Sequence, residues 1–265
     1  MWSREIIKSN AKAALRGKYL TAFLACAAVT VIGGLVVFLT LKPRINYIRM
    51  QQEPLIYYRQ IIEQSGTQSL ISLISILYGV FISYPLTIGL VRFFIRNRFG
   101  STDIRNIFSG FRYGWMDSVG AMFVTKLFIV LWSLLLIIPG IIKALEYSMV
   151  PYILSDNPHL PGSRARQISR MMTDGQKGSI FVFLLSFIGW FLLASIVGGI
   201  AVSVNKTAGI IVFFLCYLAI VPYINASFAE LYIFLRDSAI RNNMVSPYEL
   251  GLVSNPSGDS GNGAM

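Results

Sequence analysis

The sequence predicts an all-α fold, a polytopic transmembrane helical bundle, on three observations. Of its 265 residues 55% are hydrophobic and only 13% charged, and the mean hydropathy is +0.62, far from the balance of a soluble domain. Runs free of Asp, Glu, Lys and Arg recur at 20–41, 66–91, 127–142, 179–205 and 207–229. A hydrocarbon core about 30 Å thick needs about 20 such residues per helix, and only 127–142 falls short. The third observation is where the bases stand between these runs.

The net charge is +11, with 23 Lys and Arg against 12 Asp and Glu. Four segments carry most of the bases: the one before residue 20, 92–118, 155–178 and the one after 229. Lys and Arg are poorly translocated, so all four are expected on the cytosolic side, with both termini in the cytosol of a cell membrane. That placement requires an even number of crossings between 118 and 155. Hydropathy supplies one, so a second is expected at 141–154, with Pro139-Gly140 as the turn or helix break. Six spans follow; a re-entrant half-helix at 141–154 in place of the short span is the alternative.

Taken in order, the elements repeat. A short amphipathic helix beginning at a Ser, then a Gly with a base close by, then a helical hairpin, occurs three times. The first helix is expected over 3–18, with Arg4, Lys8, Lys12 and Arg16 in one basic stripe and Trp2, Ile6, Ile7, Ala14 and Leu15 as its apolar surface. The second is expected over 101–112, with Ile104, Ile107, Phe108 and Phe111 inward, bearing Arg105 and ending at Gly110 and Arg112. The third is expected over 163–177, with Ala165, Ile168, Met171 and Met172 inward, bearing Arg166 and Arg170 and ending at Gly175 and Lys177. Each return helix holds a proline with a small residue four positions on: Pro85 with Gly89, Pro151 with Ser155, Pro222 with Ala226. The chain therefore divides into one transmembrane domain, 1–240, with units 1–98, 99–158 and 159–240, and a cytoplasmic tail, 241–265, expected to be largely disordered. A polar loop is expected at 42–65.

The first run is expected to be an uncleaved span and not a signal peptide, being too long and lacking a small-x-small cleavage site. Cys26 and Cys216 lie inside apolar runs and read as small core residues. Chemistry is scarce. His159 is the single histidine, Asp156, Asn157 and Pro158 read as a helix-stopping turn, and there is no nucleotide or nucleophile motif. No metal, cofactor or nucleic acid is expected, and no enzyme. The Gly198 region reads as close helix packing.

Ionisable groups in apolar surroundings remain as site candidates, since a mid-bilayer charge needs a partner or water. Lys143 and Glu146, three apart, are expected to line a polar seam with Tyr147, Asn225 and Glu230. The bases of the amphipathic helices are expected to meet anionic lipid, a membrane-protein partner or a second copy. The resulting expectation is a non-enzymatic membrane protein that organises, regulates or assists other membrane components; the alternative is a transporter or channel for a small solute or lipid.

The text PGIIKALEYSMVPYILSDNP from Pro139, followed by SRMMTDGQKG and LSFIGWFLL, resembles the signature of an uncharacterised bacterial membrane-protein family, domain-of-unknown-function family 975. The resemblance is tightest over 139–193 and looser out to 1–240. It implies a membrane location and a layout similar to the membrane domain of some glycerophosphodiester phosphodiesterases, without implying a reaction.

Overall fold

A computed structural model describes residues 2–39, 69–70, 72–112 and 114–253 of the chain. The polar loop expected at 42–65 lies outside the described residues. Those described are helical throughout, without a strand: α1 (Arg4–Leu15), α2 (Tyr19–Leu39), α3 (Ser72–Arg98), a 3-10 helix (Ile104–Phe111), α4 (Trp115–Leu135), α5 (Ile137–Glu146), α6 (Val150–Asp156), α7 (Gly162–Thr173), α8 (Lys177–Leu185), α9 (Ile188–Val204) and α10 (Lys206–Arg241).

Among the described residues five stretches are long and apolar enough to cross a membrane: Ser72–Arg98, Trp115–Leu135, Ile137–Asp156, Lys177–Val204 and Lys206–Arg241. A further stretch is bent, α1 running at 97° to Tyr19–Gly33. Large apolar side chains cover the outside of these helices. Leu134, Ile137 and Val204 are 78%, 76% and 87% exposed, which in water would be an aggregation hazard and in lipid is the expected surface.

The return helix after α4 differs from expectation. The chain turns at Leu136, which is extended (φ −156°, ψ 141°), and Pro139 and Gly140 fall inside the first turn of α5. A helix's first turn has no partner for its N–H groups, so proline costs nothing there. Gly140 instead lets the hairpin close, because a Cβ on it would lie 2.2 Å from Ser133 Oγ. Together α5 and α6 make a 20-residue stretch, about 30 Å long at 1.5 Å per residue, against the 14 residues that motivated the re-entrant alternative.

The three short helices are present with altered details. Ser3 caps α1, its hydroxyl accepting from the Ile6 N–H at 3.2 Å. The expected caps Ser101 and Ser163 are not used; Asp103 caps the second element, and Pro161 precedes the third. On α1 the buried line is Ile7, Ala11 and Leu15, spaced by four, which leaves Ile6 60% exposed. The second element is a 3-10 helix, not α. With three residues per turn its inward face becomes Ile107 and Gly110, and Ile104 and Phe108 turn outward. Gly17 and Gly175 end the first and third elements at φ +74° and +69°. The corresponding left-handed residue of the second is Gly114 (φ +67°) rather than Gly110.

These elements pack in a cyclic order. The 3-10 helix lies on α3, α7 lies on α6 and on α4, and α1 closes the ring on α10. Each short helix thus rests on the return helix of the preceding unit, the first taking the last. The contact of the 3-10 helix with α3 is backbone on backbone. A Cβ on Gly89 would sit 1.9 Å from the Ile107 carbonyl oxygen, and one on Gly110 1.9 Å from that of Pro85. Of the small residues paired with the return-helix prolines, Gly89, Ser155 and Ala226 are all buried, as helix approach in lipid requires. Gly198 is likewise a packing glycine, its Cβ position 2.8 Å from Phe213 Cβ. Cys26 is buried, and both cysteines are free.

Residues 242–253 fold back against the bundle, burying Val245 and Leu250. The rest of the tail lies outside the described residues.

Candidate functional sites at the basic end of the bundle

Three groups of polar side chains lie at the end of the bundle that carries the short helices. The first is the outer collar. Arg4, Lys12, Arg16, Arg105, Arg112 and Arg170 are exposed, while Lys8 and Arg166 are half-buried. Lys8 Nζ lies 4.5 Å from the centroid of Phe187 and the Arg166 guanidinium 5.4 Å from that of Phe128, so both set the charged group itself against a ring. Lys12 Nζ stands 5.9 Å from the Tyr223 centroid. A groove of about 490 Å³ beside Lys12 and Arg16 is walled by Tyr19, Trp190, Ile220 and Tyr223.

The second group contains part of the expected seam. Lys143 donates to Glu146 Oε2 at 2.6 Å, and Lys177 donates to Glu146 Oε1 at 2.6 Å. Lys143 also lies over Trp132 and Tyr147, at 5.5 Å and 5.8 Å. The carboxylate is 5% exposed and its lysines 20% and 28%, so it ties α5 to the start of α8. Ser169 of α7 donates to the Glu146 carbonyl at 2.6 Å. Asn225 and Glu230 stand apart from this group. Asn225 donates to the Val221 carbonyl of its own helix at 3.0 Å, and Glu230 pairs with Arg98 Nε at 2.7 Å, joining α10 to the end of α3. The seam is thus two separate ionic joints with Asn225 outside both.

The third group is one that sequence reading passed over. Where the three return helices meet, Tyr232 of α10 donates to Asp156 Oδ2 at 2.7 Å, and Arg236 approaches the same oxygen at 3.4 Å. From α3, Arg92 donates through Nε to the Ser155 carbonyl at 2.7 Å and again through Nη2. Tyr152 and Tyr232 stack at 5.2 Å. Arg92, Asp156, Tyr232 and Arg236 come from all three units, and Asp156 is a joint between them instead of only a helix stop. The signal in the sequence is that Arg92 and Arg236, in the basic segments 92–118 and after 229, both fall within helices.

Beside this cluster, the folded-back C-terminal segment is held by Arg164, which bonds both oxygens of Glu249, the longer contact at 3.1 Å. Asn157 donates to the Glu249 carbonyl at 3.0 Å. The Arg164 hydrogen bond lowers the Glu249 pKa below the usual carboxylate value, and the same bond raises that of Arg164. Among the described residues no three His, Cys, Asp or Glu side chains converge.

No curated protein and no solved structure matches the chain. A family model does, and its match spans residues 67–239, including α3 to α10 nearly entire, the Glu146 joint and the Asp156 cluster. The chain belongs to that family, described as a protein of unknown function, DUF975, and is a membrane protein by its apolar helices.

Proposed function

We propose that this chain is a non-enzymatic component of the cell membrane, with both termini cytosolic, that organises, regulates or assists other membrane components from a collar seated on anionic lipid. The observation that carries the reading is α1. Ile7, Ala11 and Leu15 bind it to α10, while Arg4, Lys8, Lys12 and Arg16 line its outer side without a carboxylate in ion-pair range among the described residues. Four bases spaced four apart repel one another mildly in solution, and at an anionic surface each gains roughly 1 kcal/mol. The transport alternative drew on Lys143 and Glu146. Glu146 is saturated by two lysines, which makes it a joint and weakens that alternative.

The test compares the chain in nanodiscs of phosphatidylcholine with and without phosphatidylglycerol. The anionic lipid should raise its unfolding temperature, and replacing Arg4, Lys8, Lys12 and Arg16 by Gln should abolish the difference. Equal stability in both lipids would sink the reading.

A further inference from the structure

Beside the Asp156 cluster a cleft of about 470 Å³ is lined by Arg92, Arg96, Asp156, His159 and Leu252. It lies between α3, the turn after α6 and the folded-back C-terminal segment. Arg92 and Arg96, four apart, share one side of α3. The cleft is lined by two guanidiniums, Arg92 and Arg96, and one carboxylate, Asp156, which already accepts from Tyr232 and from Arg236 behind it; Arg236 also pairs with Asp237 at 3.1 Å. Arg92, Arg96 and Arg236 against Asp156 and Asp237 leave one positive charge in surplus, on the Arg92 and Arg96 side.

Donors are left over as well. Arg92 spends Nε and Nη2 on the Ser155 carbonyl, and Arg96 spends Nη1 on Asn106 Oδ1 at 3.0 Å. Nη1 of Arg92 and both Nε and Nη2 of Arg96 donate to no atom among the described residues. The outer wall is made by a specific fold-back. Glu249 is fastened to Arg164 and Asn157, and Gly251 adopts φ +67° with its Cβ position 3.2 Å from the Asp156 carbonyl oxygen. Arg96 and His159 are exposed at the mouth, so the cleft opens outward.

We propose that this cleft binds a phosphate monoester between Arg92 and Arg96. A monoester carries close to two negative charges at neutral pH and offers three acceptor oxygens. Its three oxygens can meet the unused donors of both Arg92 and Arg96, whereas a carboxylate has only two oxygens to share between them. The ester is either a lipid headgroup entering from the membrane or a soluble phosphate. The proposal is independent of the α1 collar.

The experiment uses the full chain in uncharged detergent, titrated with inorganic phosphate by calorimetry, and the chain with Arg4, Lys8, Lys12 and Arg16 replaced by Gln in phosphatidylcholine nanodiscs carrying phosphatidic acid or an equal charge of the diester phosphatidylglycerol, followed by thermal unfolding. Saturable binding of phosphate supports a soluble ligand; stabilisation by phosphatidic acid beyond that by phosphatidylglycerol, without phosphate binding, supports a lipid one. Arg96 is the residue to change, because Arg92 also holds Ser155 and its loss would disturb the fold. Arg96→Gln should weaken binding about tenfold or more, the worth of a charge-assisted contact. Arg105→Gln, an exposed base outside the cleft, should leave phosphate binding in detergent unchanged, as should neutralising the bases of α1. Absence of response to both probes, or equal binding by Arg96→Gln and the unaltered chain, overturns the proposal.

Discussion

Replacing Glu146 by Gln keeps the side chain's size and removes its charge. In the folded chain its two oxygens take Lys143 and Lys177, each at 2.6 Å, in a setting where the carboxylate is 5% exposed. A glutamine can accept from one lysine, and its amide then turns N–H groups toward the other. Breaking a fully buried ion pair costs about 3–5 kcal/mol. Here the lysines are 20% and 28% exposed and can swing to solvent or headgroups, so the expected loss is smaller, about 2–3 kcal/mol. At roughly 2–4 °C per kcal/mol for a chain of this size, the unfolding temperature should fall by about 4–12 °C. Thermal unfolding in nanodiscs measures it. A double-mutant cycle with Lys177→Met isolates the bond between α5 and α8, which should appear as a coupling of about 1 kcal/mol or more. A Glu146→Gln chain as stable as the original, or full additivity with Lys177→Met, would refute the reasoning.

Gly89→Ala should destabilise the bundle by about 1–3 kcal/mol or more, because its new methyl meets the backbone of Ile107 rather than a movable side chain; Gly79→Ala, with open space around it, is the comparison in the same unfolding assay. The Glu249 latch should be pH-dependent. The folded pKa is depressed, so the latch's contribution is complete above the ordinary glutamate value of about 4.3 and is lost as the pH falls through the lower folded value. The protection of residues 242–253 against hydrogen exchange, relative to the intrinsic rate at each pH, should therefore be high at neutral pH and fall in acid. Glu249→Gln should exchange quickly at neutral pH already.

The apolar runs read directly as helices, because spanning lipid leaves few other ways to satisfy a backbone. Local chemistry was less legible. Pro139-Gly140 signals a break, and only the geometry of Leu136 shows that the break comes earlier and that proline sits in the permissive first turn. Periodicity identified the segment at Ile104 as amphipathic but assumed 3.6 residues per turn, and the 3-10 winding exchanged Phe108 for Gly110 on the inward face. Lys143 and Glu146 were readable as a pair because they are neighbours on one helix; Lys177, 31 positions away from Glu146, was not. The Asp156 cluster was hidden for the same reason. Its members are scattered over Arg92, Asp156, Tyr232 and Arg236, and only the closing of three return helices brings them together.

The central claim is a bundle whose three short helices share one face of the membrane, the cytosolic one. Single cysteines at the exposed positions Ser9, Ser101 and Ser163, one in or beside each short helix, and at Ser203 at the far end of α9 test it directly, in a chain with Cys26 and Cys216 replaced by Ala. With a membrane-impermeant thiol reagent on intact cells, Ser203→Cys should label, while Ser9→Cys, Ser101→Cys and Ser163→Cys should label only after permeabilisation. Labelling of any one of those three from outside would contradict the account.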